Sequence, residues 1–262
     1  MLEVIFTFTF SFLVFHFSFL ICNMALIEVK NLKKKYSEGE AATVALHGVT
    51  FDVDAGEFVA IMGPSGSGKS TLLHILGFLD NQTSGTYHFD GKQIKDYEEE
   101  EVARIRNKKM GFVFQAFNLL PRTTVYQNVL LPLVYSDIPE KEWDSRVREA
   151  IKAVGLGARM DHEPSELSGG EKQRAAIARA LVTDPQVIFA DEPTGNLDSK
   201  SGQVIMEILQ DLNERDGRTI ILITHETYTA ENAQRIIHML DGEIEKDHIV
   251  EHRKSAKKKY EK

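Results

Sequence analysis

The sequence predicts an α/β fold built on a mixed, largely parallel sheet, with an early antiparallel β layer and an inserted α-helical subdomain. Short apolar strands come first, between about residues 26 and 62. Helical segments then occupy roughly residues 125 to 182, and strands alternate with helices from there to about residue 246. Alternating strands and helices form parallel sheets, whereas consecutive short strands pair antiparallel. Because no repeat or low-complexity linker interrupts residues 24–249, we expect them to form the main domain.

The first functional motif is a glycine-rich loop between a strand and a helix. Residues 58–62 predict a buried strand and residues 70–76 predict a helix, so the eight residues 63–70 fit a P-loop in its expected context. The backbone N–H groups of such a loop, together with the helix N-terminus, bind phosphate. Lys69 then supplies a charge to the β and γ phosphates of ATP, and the Ser70 hydroxyl can bind Mg²⁺. The predicted ATP-binding residues here are Gly63, Pro64, Ser65, Gly66, Ser67, Gly68, Lys69, Ser70 and Thr71.

The second motif is an acidic pair at the end of an apolar run. Residues 187–190 predict a buried strand that is followed by Asp191 and Glu192, and open α/β sheets bind their ligands at such strand ends. Asp191 is placed to hold magnesium, directly or through water. Glu192 is placed to orient and deprotonate the attacking water, so it is the predicted base. Many strands end in a solvated acidic pair, and it is the P-loop upstream that favours the catalytic interpretation.

The third motif is the stretch Leu167, Ser168, Gly169, Gly170, Glu171. Ser168 and Glu171 fit a capping box that opens the helix around residues 175–181. The stretch also resembles the signature of ATP-binding subunits of ABC transporters, and the resemblance covers about residues 24–246. It implies a P-loop NTPase core with a helical subdomain at about residues 116–171. It further implies a head-to-tail homodimer in which Ser168, Gly169 and Gly170 of one subunit meet the γ-phosphate held by the other.

Further positions match the family in the family's order. Gln115, after the strand at residues 111–114, matches a glutamine that contacts magnesium and water and links the site to the membrane partner. His225, after the strand at residues 219–224, matches a histidine that contacts the γ-phosphate. Tyr36 matches an aromatic residue that stacks on adenine, with an ordinary half-buried tyrosine as the alternative. The resemblance thus implies Lys69, Glu192 and His225 as catalytic residues and Ser70, Gln115 and Asp191 as magnesium ligands.

One loop of this pattern has two interpretations. Residues 195–198 match the loop that crosses the dimer interface in the family. Asp198 could equally cap a helix that begins near Lys200. The two roles are compatible, so both remain open at this point.

Composition agrees with a nucleotide-driven enzyme. The 262 residues are 42% hydrophobic, which is enough for a substantial core. The formal net charge of −8 argues against nucleic acid as the main partner.

The first 23 residues differ from the rest. No formal charge falls between Val4 and Cys22, and this length could span a membrane. A secretory signal is disfavoured because Glu3 is acidic and no Lys or Arg precedes the apolar run. We expect residues 1–23 to be a misassigned start, because Met24 precedes the family's first strand, and a membrane anchor is the alternative. Since Cys22 is the single cysteine, no disulfide is available.

The other end of the chain is basic. The cationic residues after position 249 predict a solvated C-terminal tail at residues 250–262. A weak attraction of this tail to anionic lipid headgroups is the alternative. The residues concerned are Arg253, Lys254, Lys257, Lys258, Lys259 and Lys262.

Several phrases narrow the resemblance to the lipoprotein-release and macrolide-efflux subgroup, among them Gly77 to Asp80 and Phe114 to Pro121. This resemblance implies an ATP-hydrolysing subunit that drives a separate permease, at the cytoplasmic face of the membrane. The substrate would be lipophilic, such as a lipoprotein, macrolide or peptide. A regulatory ATPase of the division type, which signals mechanically to a cell-wall enzyme without transport, is the alternative. ATPases of DNA repair or translation would need a coiled-coil insertion or a second ATPase domain, which this length does not hold.

The permease is expected to dock beside Gln115. Apolar side chains are concentrated after this residue in the sequence, and some of them must belong to the core. They are Phe117, Leu119, Leu120, Val129 and Leu130.

Overall fold

The computed structural model of the chain describes residues 25–37 and 43–256. The predictions made for residues 1–23 and for Lys257, Lys258, Lys259 and Lys262 lie outside these ranges. Within them, two sheets and seven helices are described. The strands are β1 (Ile27–Tyr36), β2 (Thr43–Val53), β3 (Phe58–Met62), β4 (Ser84–Phe89), β5 (Lys92–Gln93), β6 (Met110–Phe114), β7 (Val187–Asp191), β8 (Thr219–Thr224), β9 (Arg235–Leu240) and β10 (Glu243–Ile249). The helices are α1 (Lys69–Leu76), α2 (Glu99–Lys109), α3 (Val125–Val134), α4 (Trp143–Ala153), α5 (Gly169–Leu181), α6 (Ser199–Glu214) and α7 (Thr227–Ala230).

The larger sheet confirms the predicted α/β class. Its six strands run in the order β10-β9-β3-β8-β7-β6, and all neighbours are parallel except β10 and β9. Every residue of β8 is buried, as expected for a parallel strand covered on both faces. Because β3, β8 and β7 are parallel neighbours, their carboxyl ends lie at the same edge of the sheet.

The two faces of this sheet pack against different layers. Alternate residues of one strand point to opposite faces, so Ile220 and Leu222 join a core with helices α3 to α6, whereas Ile221 and Ile223 join a second core. The second core contains α1 and the smaller sheet, which is antiparallel with the order β2-β1-β4-β5. The predicted antiparallel layer therefore covers one face of the main sheet.

Helices α3 and α4 form a lobe between β6 and α5. Thr124 caps α3 through a capping box with Gln127, and the α3 and α4 side chains join the first core. The structure shows which of the predicted docking residues belong to the core, and docking itself stays a prediction. Val129 is fully buried, and Leu119 and Leu130 pack against the core. The backbone carbonyl of Phe117 accepts a hydrogen bond from Arg179 at 3.0 Å. Of the five predicted apolar residues, only Leu120 is strongly exposed.

The end of the chain also departs from the sequence prediction. Residues 250–256, which we call the C-terminal strap, pack against α6, α7 and the segment after α7 instead of forming a free tail. Ala256 is 5% exposed, and Gln210 is 4% exposed beneath it. Arg253 and Lys254, both assigned to the solvated tail, bind Glu214 and Glu231 respectively. The folded domain therefore continues beyond residue 249, its predicted end, and reaches residue 256.

In residues 25–37 and 43–256, no helix has the length and apolar character needed to cross a membrane.

Candidate functional site

The P-loop forms one wall of an open cavity of about 910 Å³ at the carboxyl edge of the main sheet. The conformation of the loop depends on Gly68, which has a φ of +92°. A Cβ at this position would also come within 2.5 Å of the carbonyl oxygen of Ala45. Side chains other than hydrogen are therefore excluded there. Seven P-loop residues and Thr71 line the cavity together with Glu192 and His225. Those eight residues are Gly63, Pro64, Ser65, Gly66, Gly68, Lys69, Ser70 and Thr71.

Lys69 is buried, and its ammonium group points back into the loop. Its Nζ donates to the Pro64 carbonyl at 2.7 Å and lies 3.4 Å from the Oγ of Ser67, which is itself buried. Burial lowers the pKa of Lys69, while the nearby carboxylates Glu192 and Asp191 oppose this shift. The lysine is thus a desolvated cation inside the phosphate-sized loop, which is where an anion would relieve its cost of burial.

Ser70 and Asp191 form a pair suited to a hard cation. Ser70 lies close enough to Asp191 to interact with its carboxylate. Burial, followed by the charge of Glu192, raises the pKa of Asp191, and His74 and Lys69 counteract this in part. A partly buried carboxylate and a hydroxyl are ligand types that Mg²⁺ takes together with phosphate oxygens, so this pair fits the predicted ion. The part of the chain that the structure describes holds no cluster of three or more His, Cys, Asp or Glu side chains that could bind a metal by themselves.

Glu192 and His225 contact each other on the far wall of the cavity. His225 Nδ1 lies 2.8 Å from Glu192 Oε1, and both follow strand ends, β7 for Glu192 and β8 for His225. The Glu192 backbone is anchored through its N–H, which donates to the Ile223 carbonyl at 2.9 Å. The two residues predicted to act on the attacking water and on the γ-phosphate therefore face Lys69 across one space.

Gln115 lies beside this cavity and does not line it. Its exposed side chain reaches Asn196, whose Nδ2 donates to the Gln115 carbonyl at 3.0 Å. The Gln115 side chain lies 3.5 Å from Asn196 Oδ1 in return. The glutamine is thus tied to the loop at residues 195–198, and its role as a magnesium ligand remains a prediction.

The signature residues lie outside the cavity of their own subunit. Ser168 caps α5 through both bonds of the predicted capping box with Glu171. Gly170 packs on α6 so closely that a Cβ would come within 2.9 Å of the Ser201 side chain. Ser168, Gly169 and Gly170 are absent from the cavity lining, as a site completed by a second subunit requires. Asp198 does cap α6, through the N–H groups of Lys200 and Ser201.

Tyr36 is 41% exposed at the end of β1 and is not among the residues that line the cavity. Its hydroxyl donates to Asp80 at 2.8 Å, and the Lys34 ammonium lies 4.7 Å from its ring centroid. Burial, with help from Asp80, raises the pKa of Tyr36. One edge of the ring is held and the rest remains exposed; stacking on adenine stays a prediction.

Sequence reasoning missed the wall of the cavity that packs against the P-loop. This wall comes from the start of β2 and from the β9–β10 hairpin, and its residues carry no motif. Arg179 was missed as well, although it holds the loop after Gln115 by donating to the carbonyls of Phe117 and Asn118. An arginine within the apolar run of α5 was the available signal. The missed wall residues are Thr43, Val44, Ala45, His238, Met239, Leu240 and Glu245.

Comparisons with known proteins match this geometry. A family model described as ABC transporter matches residues 46–195. YknY of Bacillus subtilis, described as an uncharacterized ABC transporter ATP-binding protein, is 50% identical over 219 residues, or 84% of this chain and 95% of that protein. A macrolide export ATP-binding/permease protein, MacB of Syntrophobacter fumaroxidans, is 48% identical over 224 residues. This match covers 85% of the chain but 31% of MacB, so the chain spans about a third of that relative.

A solved structure gives the same result at the level of the fold. It is a dimeric ATP-binding cassette in a post-hydrolysis state, bound to ADP and Pi, and it superposes with a TM-score of 0.79. The sequence identity is 44%, and the match covers 86% of this chain and 99% of the other.

Proposed function

The chain belongs to the family of ABC transporter ATP-binding proteins, and we propose that it dimerises on ATP and drives a separate membrane permease. The family resemblance drawn from its motifs is thereby confirmed. The chain is an ABC-type ATPase that binds ATP. The homodimer, the permease and the location at the cytoplasmic face of the membrane are our proposals. They are supported by the dimeric state of the solved relative and by the permease portion named in MacB.

The observation that carries the proposal is the meeting of Lys69, Glu192 and His225 around one cavity. The P-loop amides and Lys69 bind the phosphates, which offsets the burial of the lysine. Ser70 and Asp191 would hold Mg²⁺, which neutralises charge on the phosphates when bound. Glu192 accepts the proton of the attacking water, and His225 orients Glu192 through their 2.8 Å contact.

The cavity is complete on the P-loop side and open on the other. Ser168 to Gly170 of the same chain do not reach it, so a second subunit supplies them in our proposal. The capped start of α5 presents N–H groups and the positive end of a helix, which suit a γ-phosphate.

Glu192→Gln tests this mechanism, because it keeps the size of the side chain and removes the proton acceptor. We expect ATP hydrolysis to fall by about 10²-fold or more. ATP binding and dimerisation should survive, so size-exclusion chromatography should show a dimer with ATP and a monomer with ADP. Lys69→Ala should stay monomeric in both. Hydrolysis at the unmodified rate would place the base elsewhere, and a Glu192→Gln monomer at saturating ATP would contradict the shared site.

The permease side is proposed from exposed apolar residues on the helical lobe and on the segment that follows α1. We define the lobe patch as Leu79, Leu120, Val134 and Tyr135, the last being 74% exposed. Two consecutive residues of α2 join its ends: Arg106 donates to the carbonyl of Phe78, and Asn107 donates to the carbonyl of Pro132. Groups of exposed apolar side chains mark protein interfaces. Leu120 of the patch belongs to the segment that follows Gln115, so a docked permease is placed to respond to the state of the cavity.

The motif resemblance supports export or release of a lipophilic substrate, such as a lipoprotein, macrolide or peptide, by that permease, and the similarity to MacB, a macrolide export protein, supports the macrolide among these. Regulation of a cell-wall enzyme without transport is the second candidate, since the same ATP cycle would serve it. ATP-dependent movement of substrate in vesicles carrying the permease would favour the first, and its absence with intact ATPase activity would favour the second.

A further inference from the structure

The hydroxyl of Ser168 is occupied in the free subunit. Its Oγ donates to Glu171 Oε2 at 2.8 Å, and the Ser168 backbone N–H donates to the same oxygen at 2.9 Å. The Glu171 N–H donates to Ser168 Oγ at 3.3 Å in return. An ordinary capping box needs only the two bonds that involve backbone N–H groups. The bond from the hydroxyl to the carboxylate is additional, and it fixes where the single hydroxyl proton points.

This bond conflicts with the role proposed for Ser168 in a dimer. A serine hydroxyl has one proton to donate, so it cannot serve Glu171 and a γ-phosphate at once. Two hydrogen-bond lengths would separate the Glu171 carboxylate from the phosphate oxygen, or about 5 Å. Two anions at that separation repel each other, and they do so more strongly where water is excluded.

Arg159 is placed to reduce this repulsion. Its Nε lies 3.4 Å from the second Glu171 oxygen, Oε1, and its Nη1 lies 3.0 Å from His162 Nε2. Hydrogen bonds from Ser168, followed by the charges of Arg159 and Arg174, lower the pKa of Glu171, so the carboxylate is ionised at neutral pH. Arg159 comes from the short turn Gly157–Arg159 of the lobe and not from α5 itself.

We propose that Glu171 and Arg159 set the strength of ATP-dependent dimerisation by acting on Ser168. Glu171 holds the hydroxyl in the free subunit and opposes the incoming γ-phosphate, and Arg159 offsets the Glu171 charge. Both are positioning residues, because Glu171 acts through its bond to the Ser168 hydroxyl and Arg159 acts through its contact with Glu171. The inference rests on the proposed homodimer and adds a determinant of its affinity.

The test uses the full chain with Glu192→Gln, so that ATP persists, and measures the dimer dissociation constant by analytical ultracentrifugation. Glu171→Gln keeps an oxygen to accept the Ser168 N–H and removes the charge. We expect it to tighten the dimer about threefold to tenfold, because a modest charge effect acts at both symmetric sites. Arg159→Ala should weaken the dimer by a similar factor. In the presence of Glu171→Gln, Arg159→Ala should have little effect, since its partner charge is gone.

Matched controls separate this role from helix capping. Glu166→Gln removes a carboxylate that accepts the Glu163 N–H in a neighbouring capping box and has no bond to Ser168. Arg148→Ala removes a lobe arginine that pairs with Asp144. Neither should change the dimer constant as much as the test variants do. Thermal unfolding without ATP should be nearly the same for Glu171→Gln and its background, because both bonds of the capping box can persist.

The outcomes distinguish two failures. A dimer that Glu171→Gln leaves unchanged or weakens, with unaltered unfolding of the free subunit, would overturn this inference alone. Equal effects of Arg159→Ala with and without Glu171→Gln would do the same. A background protein that stays monomeric at saturating ATP would overturn the proposed homodimer and this inference with it.

Discussion

At the residue scale, the site combines groups that are costly to bury without their ligand. Burial raises the pKa of Asp191 and lowers that of Lys69, so each charge is partly desolvated in the free protein. Lys69 resolves this by donating to the Pro64 carbonyl. The like charge of Glu192 raises the pKa of Asp191, and the nearby Ser70 hydroxyl offsets this in part. Active sites often trade stability for such arrangements, and this trade can be measured.

Asp191→Asn should therefore raise stability while it abolishes activity. It removes a partly buried charge next to Glu192 and a proposed magnesium ligand, so magnesium-dependent hydrolysis should be lost. In the absence of nucleotide we expect the free energy of unfolding at pH 7.5 to rise by about 1 kcal/mol. Urea unfolding of the two proteins checks this. The exposed residue Asp216, changed to Asn, is the matched control and should have little effect.

The pH dependence of that difference follows from the sign of the shift. Because the folded state raises the pKa of Asp191, protonation favours folding. This contribution is complete below the ordinary aspartate pKa of about 3.9 and is lost as the pH rises through the raised value. The advantage of Asp191→Asn should thus be largest near neutral pH and shrink as the pH falls toward about 4. An Asn variant that is less stable than the unmodified protein at neutral pH would contradict the idea.

At the scale of elements, the strands were predictable where burial left a pattern. The apolar runs of β3, β7 and β8 predicted buried strands, and each strand ends in a residue or loop of the site. The C-terminal strap was not predictable in this way. Its cationic residues predicted a solvated segment. In the structure, however, Arg253 Cζ lies 5.4 Å from the centroid of the Phe58 ring, and Lys254 Nζ lies 4.3 Å from that of the Tyr228 ring. The aliphatic part of a long cationic side chain can pack on the protein surface while its charged group contacts an aromatic ring and pairs with a carboxylate.

Removal of residues 250–262 should destabilise the domain. The buried Gln210 side chain donates to the Lys254 carbonyl at 2.7 Å and accepts from the Ala256 N–H at 2.8 Å. The deletion leaves both groups of Gln210 without these partners and exposes apolar surface under Ala256. We expect the free energy of unfolding to fall by about 2 kcal/mol or more, measured by urea denaturation.

A shorter deletion is the control for this prediction. Removal of residues 257–262 alone leaves all the strap contacts given above in place, so stability should change by less than about 0.5 kcal/mol. Equal losses from the two deletions would show that the strap contacts contribute little.

At the scale of the whole molecule, the ATP site could be predicted from the sequence, whereas the proposed permease-docking surface could not. The P-loop, Asp191, Glu192 and His225 lie next to strand ends, and parallel strands bring their carboxyl ends to one edge. Sequence position alone therefore implied their convergence. The lobe patch depends instead on which faces of α3 remain uncovered after α4 and α5 pack on it. Five apolar residues near Gln115 looked equivalent in sequence, but tertiary packing buries Val129 and leaves Leu120 exposed.

The lobe patch should be the part of the surface that binds the permease. Tyr135→Asp places a charge on a side chain that is 74% exposed, so the fold and the distant ATP cavity should be unaffected. We expect co-purification with the cognate permease to fall at least tenfold, because a buried unpaired charge in an interface is costly. Ile249→Asp is the matched control, since this residue is 75% exposed on β10, away from the lobe, and should leave co-purification intact. ATP binding by both variants, measured in the absence of permease, should match that of the unmodified chain. Equal permease recovery with Tyr135→Asp and with Ile249→Asp would remove the lobe patch as the docking surface.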